Sequence, residues 1–241
     1  MQQGRNSQVM DGLSLVFSVL VVGMAIIWLG RTGAFQVSLV SSENTVWYLI
    51  RSLGVMGYIL LTVSVVWGLA LSTRMARDWS PGVLSMLLHS TISWLSLVMA
   101  TVHALLLLVD KYFSYQVLDI LVPFRGPYRP LAVGLGTLAF WGLVIVTPSF
   151  MMKKRGLSHK VWKRLHYLTY ATFGLVTVHA LFAGTDARYL GFRLLLGAGV
   201  LTTVVLLGYR IGTARTAKTG QSTSRNTHAA RSGNRRQNVA P

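Results

Sequence analysis

Four histidines lie inside long apolar stretches of the chain, where ionisable side chains are rare and usually functional. They are His89, His103, His166 and His179. His89 and His103 are 14 residues apart, and His166 and His179 are 13 apart. Each stretch therefore carries one histidine near each of its ends. Neutral imidazole is the commonest metal ligand among protein side chains, so the chemistry this pattern predicts is metal coordination.

The two apolar stretches also share short sequence motifs. Leu-His at 88–89 recurs at 165–166, and Thr-Val-His-Ala-Leu at 101–105 recurs at 177–181. This repetition indicates either a two-helix internal repeat or convergence on one local requirement. In both cases each helix presents one histidine near each face of a membrane.

The elements that must position these histidines are apolar helices. Only 12% of the 241 residues are charged, against about 25% in a soluble domain. A membrane-spanning helix needs about 20 mostly apolar residues, and six runs qualify, at 10–30, 46–72, 82–109, 128–152, 161–183 and 189–210. A soluble helical bundle is disfavoured, because a run such as 95–109 is apolar nearly all round.

We therefore expect an all-α polytopic membrane protein with a segment at 1–9 and a six-helix transmembrane domain over 10–211. The run at 10–30 is either a signal sequence or a retained helix. Its length, and the lack of an obvious cleavage site with small residues, favour a retained helix. The segment 212–241 is polar and without apolar periodicity, which predicts a disordered basic tail attracted to anionic membrane lipid.

The net charge of +17 does not point to nucleic acid, because the basic residues lie between and after the apolar runs. With the N-terminus inside, 16 of the 23 lysines and arginines fall on the inner side. The positive-inside rule thus predicts a multi-pass protein of the cell membrane, inner or plasma membrane, with both termini cytoplasmic.

In this topology the third and fifth spans run parallel, so His89 pairs in depth with His166 and His103 with His179. At a rise of about 1.5 Å per residue the two levels are about 20 Å apart, too far for four ligands to share one zinc ion. Haem iron accepts two axial imidazoles. The pattern predicts two b-type haems, an inner one at His89 and His166 and an outer one at His103 and His179.

Some alternatives stay open at this point. A single intramembrane histidine can simply hydrogen-bond two helices together. A spacing of 13 residues leaves His179 about 140° around the helix from His166. Either the fifth span contains a bulge or a kink, for which Gly174 is a plausible place, or its two histidines approach their haems from different sides.

Three other residues are candidates for contact with the haems. Arg51 and Arg129 lie near the outer ends of the second and fourth spans, where they can reach the outer propionates or simply anchor the helix ends. Phe173 lies midway between His166 and His179, either between the haems or as an ordinary packing residue. His159 and His228 are assigned no ligand role.

The six spans and the histidine pairs on the third and fifth resemble the ferric reductase-like transmembrane domain superfamily. It includes membrane ferric reductases, NADPH oxidases and the haem-binding membrane subunit of the bacterial methionine sulfoxide reductase system. The likeness covers roughly 46–211, and 165–186 looks most like the stand-alone prokaryotic members. It implies haem ligation by His89, His103, His166 and His179.

Family oxidases and reductases also carry a C-terminal domain for FAD and NAD(P)H, whereas here the last span is followed only by the 32-residue stretch 210–241, counted from the final residue of the span. We therefore expect this chain to bind neither FAD nor NAD(P)H. The glycine pairs at 134 and 136 and at 197 and 199 lie within apolar runs and indicate helix packing. Whether the chain is an enzyme stays uncertain, because it needs a separate donor, such as a flavoprotein reductase or a quinol.

The predicted function is transmembrane electron transfer through the inner and then the outer haem. The acceptor is extracytoplasmic: ferric iron, oxygen or a partner reductase. The alternative is a non-catalytic haem-binding subunit or assembly factor of a larger membrane complex. A transporter is disfavoured, because the spans show no acidic residue at mid-depth.

Overall fold

The computed structural model describes residues 16, 18–20, 24, 45–73, 82–154 and 156–237, without the side chains of 154 and 215–237. Seven α-helices follow one another from residue 45 onward. They are α1 (Thr45–Ser72), α2 (Gly82–Leu106), α3 (Val117–Leu121), α4 (Pro130–Val146), α5 (Ser149–Lys154), α6 (His159–Ala183) and α7 (Leu190–Gln237). A 3-10 helix, Thr185–Arg188, joins α6 to α7. No described residue lies in a strand, so the all-α prediction is confirmed for this part of the chain.

Local sequence explains several helix boundaries. Helix α4 starts at Pro130, which lacks the N–H that the first turn leaves unbonded anyway. It ends just before Pro148, which cannot donate the next helical hydrogen bond. Helix α6 starts after Ser158, whose hydroxyl oxygen accepts a hydrogen bond from Val161 N at 3.4 Å. Such an N-cap satisfies one of the unpaired N–H groups of the first turn.

Within the described residues, four helical segments are long and apolar enough to cross a membrane: Thr45–Ser72, Gly82–Leu106, Pro130–Lys153 and Leu190–Ala214. They coincide with the predicted spans at 46–72, 82–109, 128–152 and 189–210. Many large apolar side chains on them are exposed, such as Val83 at 68% and Leu201 at 65%. A lipid environment suits such a surface, because exposed apolar area is favourable there.

The six-helix count is not confirmed. The predicted fifth span, 161–183, falls within α6, which is long enough at 25 residues. It is less apolar than the other four, because two histidines and several tyrosines and threonines interrupt its apolar side chains. The predicted segment 1–9 and nearly all of the predicted span at 10–30 lie outside the described residues. The five described residues of that span are helical.

The disordered tail predicted for 212–241 is not confirmed either. The described backbone continues as helix α7 to Gln237. Extending an existing helix costs far less than nucleating a new one, because each added residue gains a hydrogen bond. No proline interrupts the chain between the start of α7 and Pro241.

The helices pack around α1. Helices α1 and α2 form one close pair, α4 and α6 form another, and α1 also contacts α6 and α7. Polar side chains link α1 to α2: Trp67 Nε1 donates to Ser85 O at 3.0 Å, and the Ser64 and Ser93 hydroxyls lie 2.6 Å apart. The buried core joins four helices through Tyr58, Leu61, Val65, Leu69, Leu143, Phe173 and Leu196.

Helix α6 is α-helical from His159 to Ala183, so the bulge considered near Gly174 is absent. The two histidine side chains accommodate the 13-residue spacing instead. The His179 ring reaches across to α4, whereas the His166 ring lies along its own helix against Trp162.

Candidate functional site

Helices α2 and α6 bring the four histidines together as two pairs. The ring centroids of His89 and His166 are 6.3 Å apart with planes at 76°, and those of His103 and His179 are 6.3 Å apart with planes at 81°. All four residues are half-buried. The structure therefore brings His89 next to His166 and His103 next to His179.

Backbone carbonyls of neighbouring helices orient two of these rings. His103 Nδ1 lies 2.8 Å from Ile50 O of α1, and His179 Nδ1 lies 2.9 Å from Ala132 O of α4. Because a carbonyl oxygen can only accept, Nδ1 must carry the proton in both rings. Nε2 is then the nitrogen with a free lone pair, and a metal-binding histidine is commonly oriented in this way.

The His89–His166 pair is held differently. His89 Nδ1 is buried and has no hydrogen-bond partner among the described residues. The His166 ring stacks on Trp162, with centroids 5.2 Å apart and planes inclined by 19°. Lys153 Nζ lies 4.1 Å from the centroid of the Trp162 ring. Aromatic and cation–π contacts therefore take the place of a carbonyl on this side.

A cavity of about 190 Å³ surrounds the His103–His179 pair. Its walls come from α1, α2, α4, α6 and the loop that joins α2 to α4. Most of the wall is apolar, and the charged residues on it are Arg51, Asp119 and Asp186. An apolar cavity with a few polar groups suits a largely apolar ligand with a polar edge.

Aromatic residues line the cavity on the loop side. The Phe113 ring lies 4.3 Å from that of Tyr128 and 6.1 Å from that of Trp47. Tyr115 is buried beside them and donates from its hydroxyl to Tyr128 O at 3.3 Å. Burial raises the pKa of the Tyr115 phenol, because the charged phenolate is poorly solvated there.

The three other candidates differ in position. Arg51 lines the cavity, where its guanidinium makes a two-point ion pair with Asp186 that includes Nε to Oδ2 at 2.9 Å. Arg129 is exposed, does not line the cavity, and donates to Phe182 O at 2.6 Å. Phe173 is buried in the core and stacks on Tyr58 at 5.8 Å. Only Arg51 is therefore at the cavity wall.

The ring separations allow a test of whether a haem iron fits. An iron bonded to two imidazole nitrogens at about 2.0 Å each, with about 1.1–1.2 Å from each nitrogen to its ring centre, separates the centroids by about 6.2–6.4 Å. Both pairs match this value. Within the described residues no three ligating side chains converge. A bound iron would thus need four further ligands, and a porphyrin supplies four.

Sequence reasoning missed Trp162 and the two carbonyl acceptors. Trp162 lies four residues before His166, and this spacing puts two side chains on one helix face. That spacing was the available signal for Trp162. Backbone carbonyls carry no signature in sequence, so Ile50 and Ala132 become visible only through the packing of α1 and α4.

No family model, curated protein or solved structure matches the chain. The resemblance to the ferric reductase-like superfamily therefore rests on the histidine pattern and the apolar runs, and it stays a prediction.

Proposed function

We propose that this chain is a dihaem b-type transmembrane electron-transfer protein. Electrons from a cytoplasmic-side donor, a flavoprotein reductase or a quinol, would reach an extracytoplasmic acceptor such as ferric iron, oxygen or a partner reductase. The observation that carries the proposal is the equal 6.3 Å separation of both histidine pairs, which lie on the same two helices.

The proposed ligands are His89 with His166 and His103 with His179. Bound haem iron supplies reversible one-electron chemistry. Ile50 O and Ala132 O hold the Nδ1 protons, so that Nε2 of His103 and of His179 is available for iron. The apolar cavity wall and the aromatic residues of the loop would limit the access of water to that site.

We also propose that α6 crosses the membrane, giving six spans with both termini cytoplasmic. Helix α6 packs along α4, which together with α5 forms a segment, Pro130–Lys153, that is long and apolar enough to cross a membrane. Its histidines need partners at two depths of α2. An antiparallel α4–α6 pair meets that need.

The first experiment measures haem in the purified full-length protein. The expected result is about two haems b per polypeptide in a pyridine haemochrome assay. His103→Ala and His179→Ala should each lose the same one of the two, and His89→Ala and His166→Ala should each lose the other. His228→Ala, outside all apolar runs, is the matched control. A wild-type protein without haem would refute the proposal.

The second experiment separates electron transfer from a structural role of haem. The protein is reconstituted in liposomes that enclose ferricyanide, and a membrane-impermeant reductant is added outside. We expect the enclosed ferricyanide to be reduced only when both histidine pairs are intact. Full haem content without any transfer would instead support a non-catalytic haem-binding subunit.

The topology is testable because the sequence contains no cysteine. The single variants are Lys111→Cys in the loop between α2 and α3, Lys160→Cys in the first turn of α6 and Tyr189→Cys between α6 and α7. A membrane-impermeant maleimide should label positions 111 and 189 in intact cells, and position 160 only after the cells are opened. Equal protection of positions 160 and 189 would show that α6 does not cross.

A further inference from the structure

Two glycines of α1 face the two histidines of α2. A Cβ added at Gly54 would lie 3.0 Å from His103 Cε1, and one added at Gly68 would lie 3.0 Å from His89 Cε1. Gly54 and Gly68 are 14 residues apart, as are His89 and His103. Because α1 and α2 run antiparallel, the equal spacings place Gly54 opposite His103 and Gly68 opposite His89. Each imidazole therefore packs against a glycine.

The same contact occurs once more between α4 and α6. A Cβ added at Gly136 would lie 2.5 Å from His179 Nδ1 and 2.7 Å from Cε1. This approach is closer than the two on α1, so Gly136 leaves no room for even a methyl group. Three of the four histidines thus lie against a helical glycine.

In two of these three cases the imidazole donates to the carbonyl of the residue four positions before the glycine. His103 Nδ1 donates to Ile50 O beside Gly54, and His179 Nδ1 donates to Ala132 O beside Gly136. His89 Nδ1, beside Gly68, is buried and has no hydrogen-bond partner among the described residues. The arrangement of glycine and preceding carbonyl therefore occurs twice, and Gly68 repeats the glycine contact without the hydrogen bond.

Helix geometry explains this offset. The carbonyl of residue i accepts the N–H of residue i+4 and keeps a second lone pair. The Cα–Cβ bond of residue i+4 tilts toward the helix N-terminus, so its side chain covers the turn that contains this carbonyl. A glycine at i+4 leaves the carbonyl uncovered, and an imidazole from the next helix can then reach its second lone pair.

The fourth histidine lacks this arrangement. Phe150, not glycine, is the residue 14 positions after Gly136. The carbonyl four residues before Phe150, Val146 O, accepts the Ser149 hydroxyl at 2.6 Å instead. His166 stacks on Trp162, and the Phe150 ring lies 6.1 Å from the Trp162 ring.

We propose that Gly54, Gly68 and Gly136 are positioning residues for His103, His89 and His179. By uncovering one carbonyl each, Gly54 and Gly136 hold the proton on Nδ1 and leave Nε2 free for a metal, and Gly68 gives the His89 ring room against α1. The role in metal binding rests on the proposed haem function, whereas the role in placing the proton does not. Their alanine variants therefore disturb one histidine pair at a time.

The experiment compares Gly54→Ala, Gly136→Ala and Gly68→Ala with two controls, Gly174→Ala and Gly197→Ala. The control glycines lie in α6 and α7, and an added Cβ at either meets nothing within 4 Å. In purified full-length protein we expect Gly54→Ala and Gly136→Ala to lose the haem that His103→Ala loses. Gly68→Ala should lose the haem that His89→Ala loses, and both controls should keep two.

The haem that each variant retains shows that it is folded. If Gly136→Ala fails to give monodisperse protein, Gly54→Ala and Gly68→Ala decide the test, because their added methyl meets only atoms of the histidine ring and none closer than 3.0 Å. Full haem content with unchanged electron paramagnetic resonance spectra in all three variants would overturn the proposal. Loss of both haems from a monodisperse Gly54→Ala protein would overturn it as well.

A measurement without haem distinguishes failure of this proposal from failure of the haem function. In haem-free wild-type protein, ¹⁵N resonances of labelled histidine should show His103 and His179 protonated at Nδ1. Gly54→Ala should shift His103 toward Nε2 protonation and leave His179 unchanged. If both rings carry the proton on Nε2 in the wild type, the proposal is wrong whether or not haem binds.

Discussion

Trp162 lies flat against His166, with ring centroids 5.2 Å apart and planes inclined by 19°. Its Nε1 is buried and has no hydrogen-bond partner among the described residues. The contacts of the indole are therefore made through the faces of its ring. His166 stacks on it, and Lys153 Nζ lies 4.1 Å from the ring centroid. At His166 this stacking replaces the carbonyl that orients His103 and His179.

Replacing Trp162 by leucine should loosen the His89–His166 site and leave the other site unchanged. Aromatic stacking contributes about 0.5–1.5 kcal/mol, so haem loss from that site should accelerate roughly 2- to 10-fold. The rate is measured by haem transfer to apomyoglobin in detergent. Trp162→Phe keeps an aromatic ring at this position and should change the rate of haem loss less. Trp141→Leu, at an exposed indole on α4, is the control, and equal rates in all three variants would contradict the prediction.

The Arg51–Asp186 ion pair should contribute more to the free energy of unfolding than the Asp119–Arg125 pair. Arg51 and Asp186 meet at two points, and their side chains are only 20% and 21% exposed. Arg125 is 51% exposed and meets Asp119 through one contact of 3.2 Å. Exposed single contacts contribute about 0–1 kcal/mol because water and salt screen them.

Double-mutant cycles measure this difference. The cycle of Arg51→Gln with Asp186→Asn should give a coupling free energy of about 1–2 kcal/mol for unfolding in detergent, and the cycle of Arg125→Gln with Asp119→Asn less than about 0.5 kcal/mol. Equal coupling in the two cycles would mean that Arg51 and Asp186 contribute no more than a surface pair.

The proximity of the paired histidines was predictable because the position of a residue along a helix follows from its position in the sequence. A fixed rise per residue places His89 level with His166 once the helix directions are known. The orientation of the rings was not predictable in this way. It depends on which carbonyls of α1 and α4 come near, and that is a property of helix packing.

One signal for this packing was nevertheless present in the sequence. Gly54 and Gly68 share the 14-residue spacing of His89 and His103, and antiparallel neighbours with equal spacing must meet at both points. The roles of Arg129 and Phe173 were harder to predict, because each had two plausible environments. The structure places Arg129 on Phe182 O and Phe173 on Tyr58.

Phe173 should contribute to stability more than to the cavity. It is 5% exposed, stacks on Tyr58 and is not part of the cavity wall. Phe173→Ala should lower the free energy of unfolding by about 3 kcal/mol through the void that it leaves. Phe173→Leu should cost less and keep the haem content of the wild type. Leu201→Ala, at a 65% exposed position, is the control, and an equal effect there would contradict the packing role.

Tyr115 should make the protein less stable at alkaline pH. Burial raises the pKa of its phenol in the folded protein above the ordinary value of about 10. Above that pH the unfolded chain releases the proton while the folded protein retains it. Stability is then full below about pH 10 and falls as the pH rises toward the folded pKa, because proton release favours the unfolded state.

Tyr115→Phe removes this titration while keeping the ring in place, so the decline of stability above about pH 10 should become shallower. The unfolding free energy in detergent at several alkaline pH values gives the slope, and tyrosinate absorbance gives the titration. Tyr112→Phe, at a residue that is 84% exposed, is the control and should leave the slope unchanged. Identical slopes for the wild type and Tyr115→Phe would show that water reaches the Tyr115 hydroxyl and that the aromatic residues do not seal the loop side of the cavity.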